Sequence, residues 1–99
     1  MPRKAFKPPL KRPLDLRLYV AGSGTRSLRA IDNVKRKCEE RAPGEYHLSI
    51  VDIYQNPDAA VEAQIVAVPT LVRRFPAPKR MYVGDGQAFD PGFSWLSER

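Results

Sequence analysis

Apolar and polar residues alternate near the start of the chain in the pattern of a β-strand. Four apolar side chains occupy every second position, with four other residues between them: Leu14, Leu16, Leu18 and Val20, against Asp15, Arg17, Tyr19 and Ala21. A period of two places successive side chains on opposite faces of a sheet. This strand is therefore predicted to have one apolar face, and the GSGT sequence at residues 22–25 is predicted to end it.

A helix is predicted to follow over residues 26–41, with Ser23 or Thr25 capping its first turn. Four residues fall on one stripe at helical spacing, namely Leu28, Ile31, Val34 and Cys38. Pro43 and Gly44 end the helix, and residues 46–54 form a β-rich apolar run that predicts a second strand. A strand–helix–strand unit of this kind is right-handed, so its two strands are expected to be parallel.

The second half of the chain predicts one more helix and a hairpin. Asn56 is expected to cap a helix that has Pro57 at its first position and continues through residues 58–67, until the VPT sequence at residues 68–70 breaks it. TLVRRF and RMYV are predicted as antiparallel strands joined by a PAPK turn. The order is β-α-β-α-β-β, and beyond it either a short final helix near Pro91 or an irregular segment is expected.

Length and charge indicate one small α/β domain with a basic arm. The 99 residues are 42 % hydrophobic and 28 % charged, and the net charge is +6. Residues 1–13 hold five of the 17 basic residues and no acid, which leaves 12 basic against 11 acidic residues, or +1. We therefore expect a flexible, proline-rich arm over residues 1–13 and a single domain over residues 14–99. No run approaches the roughly 20 apolar residues of a membrane span, so a cytoplasmic location is expected.

Candidate catalytic and metal-binding groups are sparse in this sequence. Cys38 and His47 are single residues of their types, which excludes an internal disulfide and a Cys/His zinc cluster. The GSGTRS loop resembles a phosphate loop, but it lacks GK[ST] and has Ser27 where GxGxxG needs its third glycine. Asp52 stands where a ribose-binding acid would follow the second strand, yet no general acid and base pair is evident. The sequence therefore predicts a protein that is not an enzyme and needs no cofactor.

The predicted order of elements, with a proline just before the third strand, is that of thioredoxin-like domains. Pro69 matches the position at which these domains have a cis-proline. Thioredoxin chemistry needs a low-pKa thiolate at the start of the first helix. The sequence has Ser23, Gly24, Thr25 and Arg26 there, so the scaffold is expected without the redox activity.

Three segments in one order resemble the KaiB family of circadian clock proteins: LRLYVAGSGTRSLRAIDNVKRKCEE, LSIVDIYQNPDAA and IVAVPTLVRRFPAPKRMYVGD. The resemblance covers roughly residues 14–86. It implies a non-enzymatic clock or timer regulator that binds the hexameric ATPase KaiC and modulates its phosphorylation cycle. It also implies two folds, a ground-state fold that is usually a tetramer and a monomeric thioredoxin-like fold that binds KaiC.

The resemblance and the pattern together suggest two groups of site residues. Candidates for partner binding lie on the exposed face of the first helix and on the second strand, if that strand is at the sheet edge: Arg26, Arg29, Arg36, Tyr46, Leu48 and Ile50. Arg29 matches the arginine of the family's SxRA motif. Candidates for the cis-proline and switch region are Pro69, Thr70, Gly84 and Asp85.

Several partners and one other function stay open from the sequence. Self-association into a dimer or tetramer is expected, and a clock histidine kinase or KaiA is a further candidate partner. The alternative function is a stand-alone thioredoxin-like protein-binding or sensor module in two-component or stress signalling. Binding to nucleic acid would depend on the basic arm and is the less favoured hypothesis.

Overall fold

The computed structural model describes residues 12–84, and these form four strands and two helices. In chain order they are β1 (Leu14–Val20), α1 (Thr25–Arg41), β2 (Tyr46–Asp52), α2 (Pro57–Glu62), β3 (Thr70–Phe75) and β4 (Arg80–Val83). The predicted β-α-β-α-β-β order is confirmed. Most of the predicted basic arm, the switch candidate Asp85 and the segment around Pro91 lie outside the described residues.

The four strands form one sheet in the order β2-β1-β3-β4. β1 pairs with β2 in parallel and with β3 in antiparallel orientation, so Leu18 lies between Ile50 and Leu71. β3 and β4 form the predicted antiparallel hairpin. The parallel β1–α1–β2 unit is also as predicted. The strand order places β2 at one margin of the sheet in the part of the chain that the structure describes.

The hydrophobic core lies between α1 and the face of the sheet that carries the even-numbered residues of β1. Fully buried side chains of β1, α1 and β3 form it: Leu14, Leu16, Leu18, Val20, Ala30, Val34, Cys38 and Leu71. Burying these groups is the main favourable term in folding a domain of this size. Cys38 is therefore a small core residue, as the sequence suggested.

The prediction for the buried stripe of α1 is wrong at Leu28, which is 56 % exposed. The buried stripe contains Ser27 together with Ala30, Val34 and Cys38. Ser27 can be buried because its hydroxyl donates a hydrogen bond to the carbonyl of Ala21 at 3.1 Å. Because Ser27 and Ala30 are small, α1 can approach the sheet closely. Leu28 follows Ser27 and lies about 100° further around the helix, so its side chain is directed outward.

The predicted capping of α1 is also wrong. Gly24 is the N-cap residue, and no side chain forms a capping hydrogen bond. The first turn closes through the backbone, with the N–H of Leu28 donating to the carbonyl of Gly24 at 3.0 Å. Neither Ser23 nor Thr25 occupies the cap position, because the helix begins at Thr25 itself.

The expectation that β1 has a single apolar face needs correction at Tyr19. Tyr19 points to the face opposite α1, yet only 2 % of its surface is exposed. On this second face Tyr19 lies beside Val72 of β3 and Ala59 and Ala63 of the α2 segment, which together line a cleft. Tyr19 is therefore buried although it lies outside the core that α1 covers.

The predicted second helix is shorter in the structure, and β2 ends earlier than predicted. α2 ends at Glu62 because Gln64 adopts a left-handed conformation, with φ of 59°. The N–H groups of Gln64 and Ile65 donate to the carbonyls of Val61 and Ala60, which is the hydrogen-bond pattern of a Schellman motif. Glycine is the usual residue at this position, so the sequence carried no stop signal.

The start of α2 matches the prediction in position but not in side-chain chemistry. Asn56 is the N-cap and Pro57 is in the first turn, yet the Asn56 side chain forms no capping hydrogen bond. β2 ends at Asp52, two residues before the predicted boundary, because residues 53–55 form a turn.

No helix within residues 12–84 is long and apolar enough to cross a membrane.

Candidate functional site

The outward face of α1 carries the three predicted arginines. Arg26, Arg29 and Arg36 are all exposed on this helix. Arg36 forms an ion pair with Asp32 at 2.9 Å, one helical turn earlier, and it also donates to the side-chain oxygen of Asn33 at 2.7 Å. The face is therefore basic, and the charge of Arg36 is partly neutralised within the helix.

β2 is an outer strand of the sheet among the described residues, as the sequence analysis required for a binding strand. Its residues Tyr46, Leu48 and Ile50 are in register with core residues of β1, so they lie on the face of the sheet that α1 covers. Tyr46 and Leu48 pack against the core, whereas Ile50 is 39 % exposed. Ile50 is therefore an apolar residue on the α1-covered face of the sheet whose side chain is partly exposed to solvent.

Leu28 is an exposed apolar residue that the sequence analysis placed in the core. It precedes Glu39 by eleven residues, about three helical turns, so the two lie on the same flank of α1. Glu39 accepts a hydrogen bond from the Tyr46 hydroxyl, which shows that this flank faces β2. We call Leu28 and Ile50, with the adjoining edge of β2, the α1–β2 margin. A buried stripe of Ser27, Ala30, Val34 and Cys38 also fits helical spacing and would have left Leu28 outside.

The hydrogen bond between Tyr46 and Glu39 joins β2 to α1 at this margin. The Tyr46 hydroxyl can donate this bond only while it is protonated, so the hydrogen bond to Glu39 raises the pKa of Tyr46 to about 12. Tyr46 therefore remains protonated and able to donate at neutral pH. The contact holds the start of the edge strand against the helix.

Asp52 organises the loop between β1 and α1. One of its carboxylate oxygens, Oδ1, accepts hydrogen bonds from the N–H groups of Gly22 and Tyr54, both at 2.9 Å. Gly22 has a positive φ of 73°, and the Tyr54 ring lies against it. The Asp52 carboxylate, which the sequence analysis considered as a ribose-binding acid, therefore has a structural role in this loop. Its bond to the Gly22 N–H also means that this donor of the glycine-rich loop already has an acceptor.

Three switch candidates meet where β3 begins and β4 ends. The Val68–Pro69 peptide bond is cis. The Thr70 hydroxyl donates to the carbonyl of Ala67 at 2.6 Å, and the N–H of Gly84 donates to the carbonyl of Pro69 at 2.9 Å. Pro69, Thr70 and Gly84 thus form one connected turn region, whereas Asp85 lies outside the described residues.

The groups weighed for catalysis lie apart from one another. Cys38 is more than three turns into α1, where burial, with the nearby charge of Glu39, raises the pKa of its thiol to about 12. His47 is exposed on β2, with Nε2 at 3.4 Å from the Ser49 hydroxyl. No group of three His, Cys, Asp or Glu residues within residues 12–84 is placed to hold a metal ion.

The architecture is that of known solved domains. The N-terminal domain of Synechococcus elongatus SasA superposes with a TM-score of 0.74 at 21 % identity, covering 96 % of this chain and 94 % of that domain. Mitochondrial thioredoxin 3 from Saccharomyces cerevisiae superposes with a TM-score of 0.69 at 15 % identity, covering 85 % and 79 %. The protein is therefore a thioredoxin-like α/β domain, and the start of its first helix lacks a cysteine.

Sequence relatives place this domain in a family. A family model described as the KaiB domain matches residues 17–96. The circadian clock oscillator protein KaiB of Trichodesmium erythraeum is 42 % identical over 77 residues, which cover 78 % of this chain and 74 % of that protein. The circadian clock protein KaiB3 of Synechocystis is 39 % identical over 70 residues, covering 71 % and 69 %. The chain belongs to the KaiB family, and its relatives are circadian clock proteins.

Proposed function

We propose that this protein is a non-enzymatic clock or timer regulator that binds a KaiC-type hexameric ATPase and modulates its phosphorylation and ATPase cycle. Membership of the KaiB family is the observation that carries the proposal. The binding surface we propose is the α1–β2 margin with the outward arginines of α1. The margin has an exposed sheet edge and two exposed apolar side chains, and the arginines are exposed on the outward face of the adjoining helix.

Each part of this surface has a distinct physical role in the proposal. An outer strand has backbone N–H and C=O groups on its free side that can pair with or abut another chain. Leu28 and Ile50 offer apolar area that a partner can remove from water. Arg26 and Arg29 would steer the domain toward an acidic surface, since charge complementarity acts mainly on the association rate.

Binding is tested by mixing the full chain with the KaiC-type ATPase of the same organism and ATP, and following co-elution on size exclusion over hours. We expect a complex to form slowly. Ile50→Lys should weaken it at least about tenfold, because a charge replaces apolar contact area at the edge. Val83→Lys is the matched control, since Val83 is also exposed but lies on β4, at the other side of the sheet.

A charge reversal tests the arginine face in the same assay. Arg29→Glu should slow association and remove most of its salt dependence, whereas Arg80→Glu on β4 should leave both nearly unchanged. Absence of a complex in every nucleotide and phosphorylation state would contradict KaiC binding. Binding to a histidine kinase or response regulator instead would favour the sensor-module alternative.

We further propose that the chain exchanges this thioredoxin-like fold for a self-associating ground-state fold, as a dimer or tetramer. Two packings of one sequence can interconvert when they differ by only a few kcal/mol, and a partner then selects the state that it binds better. The weak burial of α2, which has no buried residue, supports placing the rearrangement in the second half of the chain. The proposed boundary is the turn region of Pro69, Thr70 and Gly84, with Asp85 following it.

Backbone chemical shifts measured over a range of protein concentrations test the exchange. Residues 14–52 should keep helix and strand shifts in both states. Residues 57–83 should show a second set of resonances whose helix and strand assignments differ, and which grows with concentration. A single set of resonances at every concentration, with or without the ATPase, would contradict fold switching while leaving KaiC binding to be judged by co-elution.

A further inference from the structure

The face of the sheet opposite α1 contains a cleft that the proposed partner surface does not use. Its volume is about 210 Å³. Its walls come from β1, β3, the α2 helix and the turn before β4, and the lining residues that matter are Arg17, Tyr19, Glu62, Val72, Arg74 and Lys79. The cleft therefore collects side chains that are far apart in the sequence.

The charges around the cleft are mostly positive. Three cations, those of Arg17, Arg74 and Lys79, and one carboxylate, that of Glu62, give the lining a net charge of +2. Arg74 and Lys79 are exposed, so their charged groups are free to move toward a ligand. Like charges gathered in one concave site repel one another, and an anion between them would reverse that unfavourable term.

Arg17 supplies a second, independent observation. Its Nε is buried and has no hydrogen-bond partner within residues 12–84. A buried donor without an acceptor is costly, more so on a charged group, and native proteins usually satisfy such groups with protein, water or a ligand. The planar guanidinium group is suited to two parallel hydrogen bonds to the oxygens of a phosphate or carboxylate.

The remaining lining residues set the size and polarity of the ligand. Tyr19 and Val72 are buried and form a partly apolar floor, which lowers the local dielectric and strengthens the attraction of an anion to the cations above it. A volume of about 210 Å³ is below the roughly 300 Å³ at which pockets for drug-sized molecules begin. The cleft thus matches a small, multiply charged oxyanion.

We propose that this cleft binds a phosphate or diphosphate group of a small molecule through Arg17, Arg74 and Lys79. Arg17 binds the oxyanion from the floor of the cleft, and the two exposed cations close over it from β3 and the hairpin turn. The Glu62 carboxylate on α2 repels negative charge on its side of the cleft. The site therefore favours ligands whose negative charge is concentrated at one end. The site lies across the sheet from α1, and it is independent of the proposed partner surface.

Titration of the ¹⁵N-labelled full chain with sodium phosphate and with sodium pyrophosphate tests this site, with sodium chloride at matched ionic strength as the reference. We expect saturable shifts of the Arg17 Nε–Hε resonance with the phosphate salts and none with chloride. Tighter binding of pyrophosphate would identify a diphosphate group as the ligand. A nucleoside diphosphate that binds no more tightly than pyrophosphate would show that only the phosphates are recognised.

Paired double variants separate a built site from general charge attraction. Arg74→Gln with Lys79→Gln should weaken pyrophosphate binding about tenfold or more, because two charged contacts are lost at exposed positions that the fold does not need. Lys35→Gln with Arg41→Gln removes the same charge from exposed positions of α1 and should change binding less than twofold. Equal losses in both pairs, or equal Arg17 shifts with chloride, would overturn the proposal.

Discussion

The two halves of this domain differ sharply in how well they bury their apolar side chains. Within residues 12–84, seven of the eight largest fully buried side chains belong to residues 14–38, and the eighth is Leu71. Of the seven large exposed apolar residues in this described part of the chain, five follow residue 52, among them Val61 and Val66 in and after α2. The β1–α1–β2 unit therefore supplies most of the hydrophobic stabilisation, while α2 and β4 rest on it with few buried groups of their own.

The uneven burial indicates which elements of the domain can rearrange and which cannot. Elements with few buried apolar contacts open at low free energy, whereas a packed core opens only with global unfolding. Apolar residues that stay exposed in one packing are available to a different packing or to a partner. The contrast is consistent with the proposed exchange of folds, which would leave the first half unchanged.

The largest expected effect is on thiol reactivity. Because the folded-state pKa of Cys38 is about 12 against 9.0 ordinarily, folding leaves about 1000-fold less thiolate at a given pH, and burial blocks access as well. Cys38 should therefore react with a thiol reagent at about pH 8 at least about 1000-fold more slowly than a cysteine placed at exposed Val61, in the variant Cys38→Ala with Val61→Cys. Similar rates would mean that the core opens as readily as α2.

The sign of the pH dependence follows from the same shift. Since the pKa of Cys38 is higher in the folded state, the unfolded chain loses the thiol proton first as the pH rises. Its contribution to stability is complete below about pH 9 and is lost between about pH 9 and 12. Cys38→Ala should therefore flatten the fall in unfolding free energy over that interval, measured by urea denaturation.

Truncating one apolar side chain in each half compares the two halves directly. Leu18→Ala should lower the unfolding free energy by about 2–5 kcal/mol, because Leu18 is fully buried at the centre of the sheet. Val61→Ala should change it by less than about 0.5 kcal/mol, because Val61 is 75 % exposed. Urea unfolding measures both, and comparable losses would contradict the uneven core.

A pair of glycine substitutions tests the loop that joins β1 to α1. Gly22→Ser should destabilise the domain by about 1–2 kcal/mol, because φ is 73° there and an added Cβ would lie 3.1 Å from the Tyr54 ring. Gly24→Ser should be neutral or slightly stabilising, since an added Cβ meets no atom of residues 12–84 within 4 Å and a serine at the N-cap can accept a hydrogen bond. Thermal unfolding would rank the two variants, and the reverse order would show that the loop conformation is wrong.

The smallest expected effect is a gain in the weaker half. Gln64→Gly should stabilise the domain by about 0.5 kcal/mol, because glycine adopts the left-handed conformation without the cost that a side chain adds, partly offset by its greater freedom when unfolded. Ala63→Gly is the control, since Ala63 has a right-handed conformation and gains nothing. A loss of stability in Gln64→Gly would contradict the Schellman ending of α2.

The site predictions show a similar division between local and long-range information. The arginines of α1 are exposed, and β2 is parallel to β1, as helical periodicity and the strand–helix–strand rule predicted. The outer position of β2 among the described strands was only a condition of the binding hypothesis, and the strand order of the sheet supplied it. The roles of Leu28 and Asp52 were not foreseen. Leu28 depended on the rotation of α1 against the sheet, and Asp52 depended on the return of β2 beside Gly22, thirty residues earlier.

Local sequence patterns were enough to predict the strand alternation of β1, the hairpin of TLVRRF and RMYV, the order of the elements and the family. These features follow from side chains within a few positions of one another, where backbone preference and periodicity act. Packing between elements, in contrast, turns Ser27 toward the core and buries Tyr19 on the second face. It also brings Arg17, Arg74 and Lys79 to one cleft. Burial and charge clustering depend on which elements pack together, and residues distant in the chain supply those contacts.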